Sequence, residues 1–152
     1  MDARRVFMAT GTALALAAAG CAHMGEPAQS KPMQSAQSAR QHVVFQVSDA
    51  DPGKWNLALN NARNVQQDVG AGNVDIEIVA YGPGIGMLKK GSAVSQRIDE
   101  ATLSGVKVVA CENTMHGQKL SKSDMLEGIG YVPAGVTEIM KRQQEGWSYV
   151  RP

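Results

Sequence analysis

One short stretch of this sequence gathers several side chains that can do chemistry: Cys111-Glu112-Asn113-Thr114-Met115-His116-Gly117-Gln118-Lys119. A thiol, a carboxylate, an amide, a hydroxyl and an imidazole fall within six positions. The chemistry such a cluster offers is nucleophilic. A cysteine with His116, Lys119 and Lys122 nearby in sequence gains thiolate character, and the thiolate is the reactive form. Glu112 opposes this, because a neighbouring negative charge disfavours a second one. His116 is the candidate proton acceptor, and Asn113 and Thr114 are candidate hydrogen-bond donors to a ligand. The same residue type also suits a small buried cysteine that fills the end of a strand. Residue type alone leaves both readings open. Cys111, Met115 and His116 are soft ligands of the kind copper takes, but their order and spacing match no metal motif. Scattered methionine in core and linker is the simpler account, and no metal or other cofactor is assigned.

A second stretch reads Tyr81-Gly82-Pro83-Gly84-Ile85-Gly86-Met87-Leu88-Lys89-Lys90-Gly91-Ser92. Gly82, Gly84 and Gly86 would let a ligand approach the backbone closely, and Lys89 and Lys90 could meet an anion. The spacing is neither the dinucleotide fingerprint nor a phosphate-binding P-loop. A glycine-rich turn with two solvated lysines is the simpler account.

These two stretches need a scaffold, and the flanking sequence supplies one. Val43–Val47 is a strand-like apolar run. Asp51-Pro52 is a strong helix start, with Asp as N-cap and Pro at the first helical position. Trp55, Ala58, Leu59, Ala62, Val65 and Val69 then recur at helical spacing until Gly70. Val74–Ala80 is a second strand; its first half alternates apolar and acidic residues, so that end is expected to be exposed on one face. Val94, Ile98 and Ala101 mark a second helix ending at Gly105. Val106–Ala110 is a third strand closed by Cys111. Ser121-Lys122-Ser123-Asp124 is a capping box for a short helix. Tyr131-Val132 is a brief strand. Val136, Ile139 and Met140 mark a last helix stopped by Gly146, and Trp147–Val150 is a closing strand.

Strand and helix in alternation predict an α/β fold: one mostly parallel sheet of about five strands with helices on both faces. In open sheets of this kind ligands bind at the carboxyl ends of strands, where residues 81–92 and 111–120 fall.

Ahead of this domain, Arg4-Arg5, the Ala-rich run from Ala13 to Ala19 and Gly20-Cys21 have the layout of a secretory signal. Arg4-Arg5-Val6-Phe7-Met8 resembles the twin-arginine export motif, though two arginines also suit a general export signal. Ala18-Ala19-Gly20-Cys21 resembles a lipobox, which makes Cys21 the expected lipidation site. The expected organisation is a signal peptide over 1–21, a flexible Ser/Gln/Ala/Pro-rich linker over 22–41, and one domain over 42–152. The expected location is the periplasmic side of the cell envelope, with membrane contact only through the lipid anchor. The chain has 15 basic and 14 acidic residues. Losing Asp2, Arg4 and Arg5 with the signal leaves the two signs equal. No basic footprint for nucleic acid remains, and 5% aromatic content makes a base-stacking platform unexpected. With Cys21 lipidated, Cys111 is the one thiol of the mature chain and has no partner for an internal disulfide.

From His42 to Pro152 the sequence resembles the DsrE/DsrF-like proteins, which are similar to the sulfur-relay subunits DsrE and TusD. The resemblance is carried by Val43–Ser48, Asp51–Val69, Ile76–Gly84, Val108–Met115, Tyr131–Val136 and Glu145–Pro152. It implies a flavodoxin-like sheet and homo-oligomers, often trimers or hexamers. It also implies that Cys111 takes the position of a relay cysteine that carries sulfur as a persulfide, exchanged with a thiol or sulfur-donor protein. The alternative is a non-catalytic binding or assembly module of the envelope, with Cys111 structural.

Overall fold

The computed structural model describes residues 40–152; the signal, the lipobox and all but the end of the linker lie outside them. Five strands form one sheet: β1 (Gln41–Val47), β2 (Val74–Ala80), β3 (Lys107–Cys111), β4 (Gly130–Val132) and β5 (Ser148–Val150). Their spatial order is β4-β3-β2-β1-β5, and every pairing is parallel. Four helices complete the flavodoxin-like domain: α1 (Pro52–Val69), α2 (Ser95–Leu103), α3 (Glu112–Gly117) and α4 (Gly135–Gln144).

The two faces of the sheet follow from the period of two along each strand. Val43, Phe45, Val47, Ile76, Ile78, Ala80, Val108 and Ala110 point to one side. There they meet Trp55, Ala58, Leu59 and Ala62 of α1 and Ile98 of α2 in the main core. Val44, Val79, Val109 and Val132 point to the other side, where Ile139 of α4 covers them. The smaller core is thus built by a single helix.

Most expected elements form where the residues place them. Asp51 caps α1 through its carboxylate, which accepts from the Gly53 amide at 2.8 Å, and Pro52 occupies the first turn. The capping box at Ser121–Asp124 is present, on a 3-10 turn rather than an α-helix. Two segments read as loops carry structure. Residues 82–88 form a 3-10 run that buries Ile85, Met87 and Leu88, and residues 112–117 form α3.

The expectation of an exposed acidic end on β2 holds only for Asp75, which is partly exposed and pairs with Arg40 at 2.7 Å. Glu77 is 0% exposed. Its Oε2 accepts from Nε of Arg142 on α4, and its Oε1 lies 2.8 Å from the Lys107 ammonium. Arg142 also reaches Glu138 at 2.9 Å and Glu145 at 3.0 Å. Its guanidinium stacks over Trp147, 4.7 Å from the ring centroid. A buried carboxylate needs such partners, because an unpaired ion inside a protein costs several kcal/mol.

Candidate functional site at the carboxyl edge

β2 and β3 are neighbours, so the two stretches that follow them meet at one edge of the sheet. The link is direct: the Gly82 amide donates to the Thr114 hydroxyl at 2.9 Å, and the Gln118 side chain donates to the Gly82 carbonyl at 3.2 Å. The glycines serve the scaffold here. A Cβ on Gly84 would lie 2.3 Å from the Val47 carbonyl oxygen, so only glycine lets this turn pass so close to the end of β1. Gly86 faces the Trp55 indole, which a Cβ would approach to 3.3 Å. Lys89 pairs by backbone with Met125, and Lys90 donates its amide to the Asp124 carbonyl.

Cys111 is the last residue of β3 and the N-cap of α3. It shares its side of the sheet with Val109, the side that α4 covers. The Gly135 amide, at the first turn of the ten-residue α4, donates to its Sγ at 3.2 Å. Burial pushes the Cys111 thiol up, but the polar surroundings supplied by the Thr114 hydroxyl, the Gly135 amide and the backbone at Thr114 and Asn113 outweigh it. The net result lies below the ordinary value of 9.0. The amide end of α4 carries partial positive charge and favours the thiolate in the same sense. Thr114 and Asn113, expected to contact a ligand, are engaged by the scaffold beside the sulfur: the Thr114 hydroxyl accepts from the Gly82 amide and the Asn113 amide donates to the Pro133 carbonyl at 3.1 Å.

Access is restricted. Cys111 is 5% exposed, and a Cβ on Gly135 would come within 3.0 Å of Tyr81 Cβ and 3.3 Å of Cys111 Cβ. Gly135 thus sits between the Tyr81 and Cys111 side chains, an arrangement that nothing in residue order signals beyond a glycine at a helix start. Burial raises the Tyr81 phenol above its ordinary value, helped by nearby Tyr149.

His116 is not brought to the sulfur. It lies exposed on the last turn of α3 and lines a small hollow of about 150 Å³ with Glu112, Met115, Leu120, Ser121 and Lys122. No hydrogen bond joins its ring to Cys111 among the described residues. Lys122 turns to Glu112 at 3.7 Å and to the Tyr131 ring, 4.5 Å from its centroid, rather than to the thiol. Met115 packs into the main core. Cys111, Met115 and His116 therefore do not converge on a common point, and the soft-metal reading has no geometry behind it. Among the described residues no cluster of three or more His, Cys, Asp or Glu could hold an ion. No described helix is long and apolar enough to cross a membrane.

Comparison with known proteins bears on the whole domain. A protein of unknown function from Methanobacterium thermoautotrophicum, MTH1491, is 38% identical; the match covers 74% of this chain and 99% of that one with a TM-score of 0.71. The ychN protein of E. coli matches at 16% identity and a TM-score of 0.61, over 74% of this chain and 99% of that one. A conserved protein of unknown function from Bacteroides thetaiotaomicron, BT1422, matches at 17% identity and a TM-score of 0.61, over 77% and 99%. The last two show the fold alone. Comparison with the curated proteins gave no match. The sequence pattern of the DsrE/DsrF-like family covers residues 4–152. With that match, and with a five-stranded parallel sheet that ends β3 on a cysteine, the chain belongs to the DsrE/DsrF-like family.

Proposed function

We propose that this protein is an exported sulfur carrier that holds sulfur as a persulfide on Cys111. The observation that carries this is the hydrogen bond that the Gly135 amide, at the start of α4, donates to one thiol at 3.2 Å: in this polar setting, with Thr114 beside it, the thiol pKa lies below the ordinary value in spite of burial. A structural cysteine gains nothing from such a setting, whereas a nucleophile gains thiolate at neutral pH. The step balances without an external oxidant. The Cys111 thiolate attacks the outer sulfur of thiosulfate, an S–S bond forms, the old S–S bond breaks, and sulfite leaves with the electron pair. Transfer to an acceptor thiol is a second exchange of the same kind. The 5% exposure of Cys111 favours small sulfur donors. In this reading the protein works at the cell envelope, anchored through Cys21, and assembles as a homo-oligomer, most simply a trimer.

Incubation of the protein with thiosulfate or polysulfide, followed by mass spectrometry, tests the reading. A gain of one sulfur on the peptide containing Cys111, removable by a reductant and absent in Cys111→Ser, is the expected result. Native protein that gains no sulfur, or gains it equally in Cys111→Ser, rejects the reading.

A second reading follows from burial. A thiol at 5% exposure also suits a packed strand end in a non-catalytic assembly module. Alkylation no faster than global unfolding is its signature.

A further inference from the structure

On the face of the sheet away from α4, helices α1 and α2 enclose a groove of about 460 Å³, within the range of small-molecule sites. Its floor is apolar: Leu59 and Ala62 of α1, Ala101 of α2 and Val106 ahead of β3. Arg63 and Arg97 stand on its walls. One end is closed by Gln66 and Ser104, which exchange hydrogen bonds across the gap at 2.9 and 3.2 Å.

Arg97 is fixed in place without an opposite charge. Its Nη1 donates to the backbone and side-chain oxygens of Asn56, and its Nη2 donates to Asn60 Oδ1 at 2.6 Å. A guanidinium has five N–H groups. These bonds use three, leaving Nε–H and one Nη2–H without an acceptor among the described residues. Neither Arg97 nor Arg63 has an ion-pair partner among the described residues. Glu100, the one carboxylate on the wall, is engaged by the Gln96 side chain at 3.1 Å. An apolar trough with an immobilised, uncompensated guanidinium and a second arginine above it complements a molecule with an alkyl body and a carboxylate head. Arginine binds carboxylates through paired N–H donors, and the neutral anchors at Asn56 and Asn60 have already ordered the side chain.

We propose that the α1–α2 groove binds a medium-chain monocarboxylate, its alkyl chain on Leu59, Ala62, Ala101 and Val106 and its head on Arg97 and Arg63. The site does not involve Cys111, so the proposal stands apart from the sulfur reading.

Decanoate is the probe, titrated into the full-length chain and followed by amide NMR shifts and calorimetry, with decanol and decyltrimethylammonium as head-group controls. Saturable binding is expected, with shifts confined to α1, α2 and the residues around Ala71. Decanol and the cationic amphiphile should bind at least about tenfold more weakly, since a hydrogen bond to a charged group contributes that much. Arg97→Gln and Arg63→Gln should each weaken decanoate by a similar factor and leave decanol unchanged. Ala101→Leu, which fills the trough without touching the arginines, should weaken both. Cys111→Ser should bind as the parent does. Absence of saturable binding, equal affinity for decanoate and decanol, or indifference to Arg63→Gln overturns the proposal. Arg63 is exposed, so that variant folds even where the others do not.

Discussion

A thiol that is 5% exposed should ionise late, because burial penalises the charged form. At Cys111 the polar surroundings win, and the sign of that result sets a pH dependence. The folded pKa is depressed below 9.0. In the window between the two values the unfolded chain holds more protons than the folded one, so stability rises with pH there. It is fully present above 9.0 and is lost as pH falls through the folded value. Urea unfolding measured across that window should show the rise, and Cys111→Ser should flatten it. Gly135→Ala probes the same balance from the donor side. The new Cβ must push against Tyr81 Cβ and Cys111 Cβ, neither the end of a flexible chain. Overpacking of this kind costs about 1–3 kcal/mol. The displaced amide should also move the thiol pKa toward 9.0, read as a slower methanethiosulfonate reaction at neutral pH. An unchanged pH profile in Gly135→Ala removes the amide from the account of Cys111.

At the scale of elements, α4 is held to the sheet as much by charge as by packing. Only Ile139 of its apolar residues enters the core; Val136 and Met140 are 62% and 50% exposed. The charges divide unequally. Arg142 is 20% exposed and keeps Glu138 and Glu145 when Glu77 is replaced, whereas Glu77 has only Lys107 left when Arg142 is replaced. Arg142→Ala should therefore cost about 3 kcal/mol or more, and Glu77→Gln clearly less. A double variant Glu77→Gln/Arg142→Met should recover part of the loss; equal losses in the two single variants would falsify this ordering.

The same helix shows what could be read from residue order. Strand and helix alternation, the Asp51-Pro52 start and the position of Cys111 at a strand end were legible because each depends on neighbours in sequence. Glu77 was not, because its partner is 65 residues away and alternation treats it like Asp75. α3 was not, because six residues with Met115 as their one apolar side chain, ending in glycine, carry no helical stripe. The packing at Gly135 depends on Tyr81 and Cys111 arriving from two other elements, which no local pattern records. His116 shows the converse: sequence proximity to Cys111 did not become proximity in space.

For the molecule as a whole, the outward pair Val136 and Met140, one helical turn apart, gives the proposed oligomer an apolar contact strip. Light scattering should find more than one copy, and Val136→Glu/Met140→Glu should shift the protein to monomer with its fold intact. A parent protein monomeric at ~100 μM counts against assembly, because an obligate interface holds far below that concentration. Export makes a separate expectation. Intact mass of protein from its native host should place the amino terminus at Cys21, with acyl chains attached. A terminus beyond Cys21 removes the anchor, and an unprocessed Met1 in the envelope removes the cleaved signal as well.

The pairing of β1 has a kinetic side. Its inner edge meets β2 from nearby in the chain, but its outer edge waits for β5: Val43 pairs with Ser148, more than a hundred residues downstream. Until Ser148–Val150 dock, that outer edge presents unpaired amides and carbonyls, ready to template another strand. Closing so long a loop is entropically unfavourable and is repaid only when the last strand is in place. A chain cut short before Ser148 would thus keep its main core and still be prone to aggregate, with three residues deciding between a closed sheet and an adhesive one.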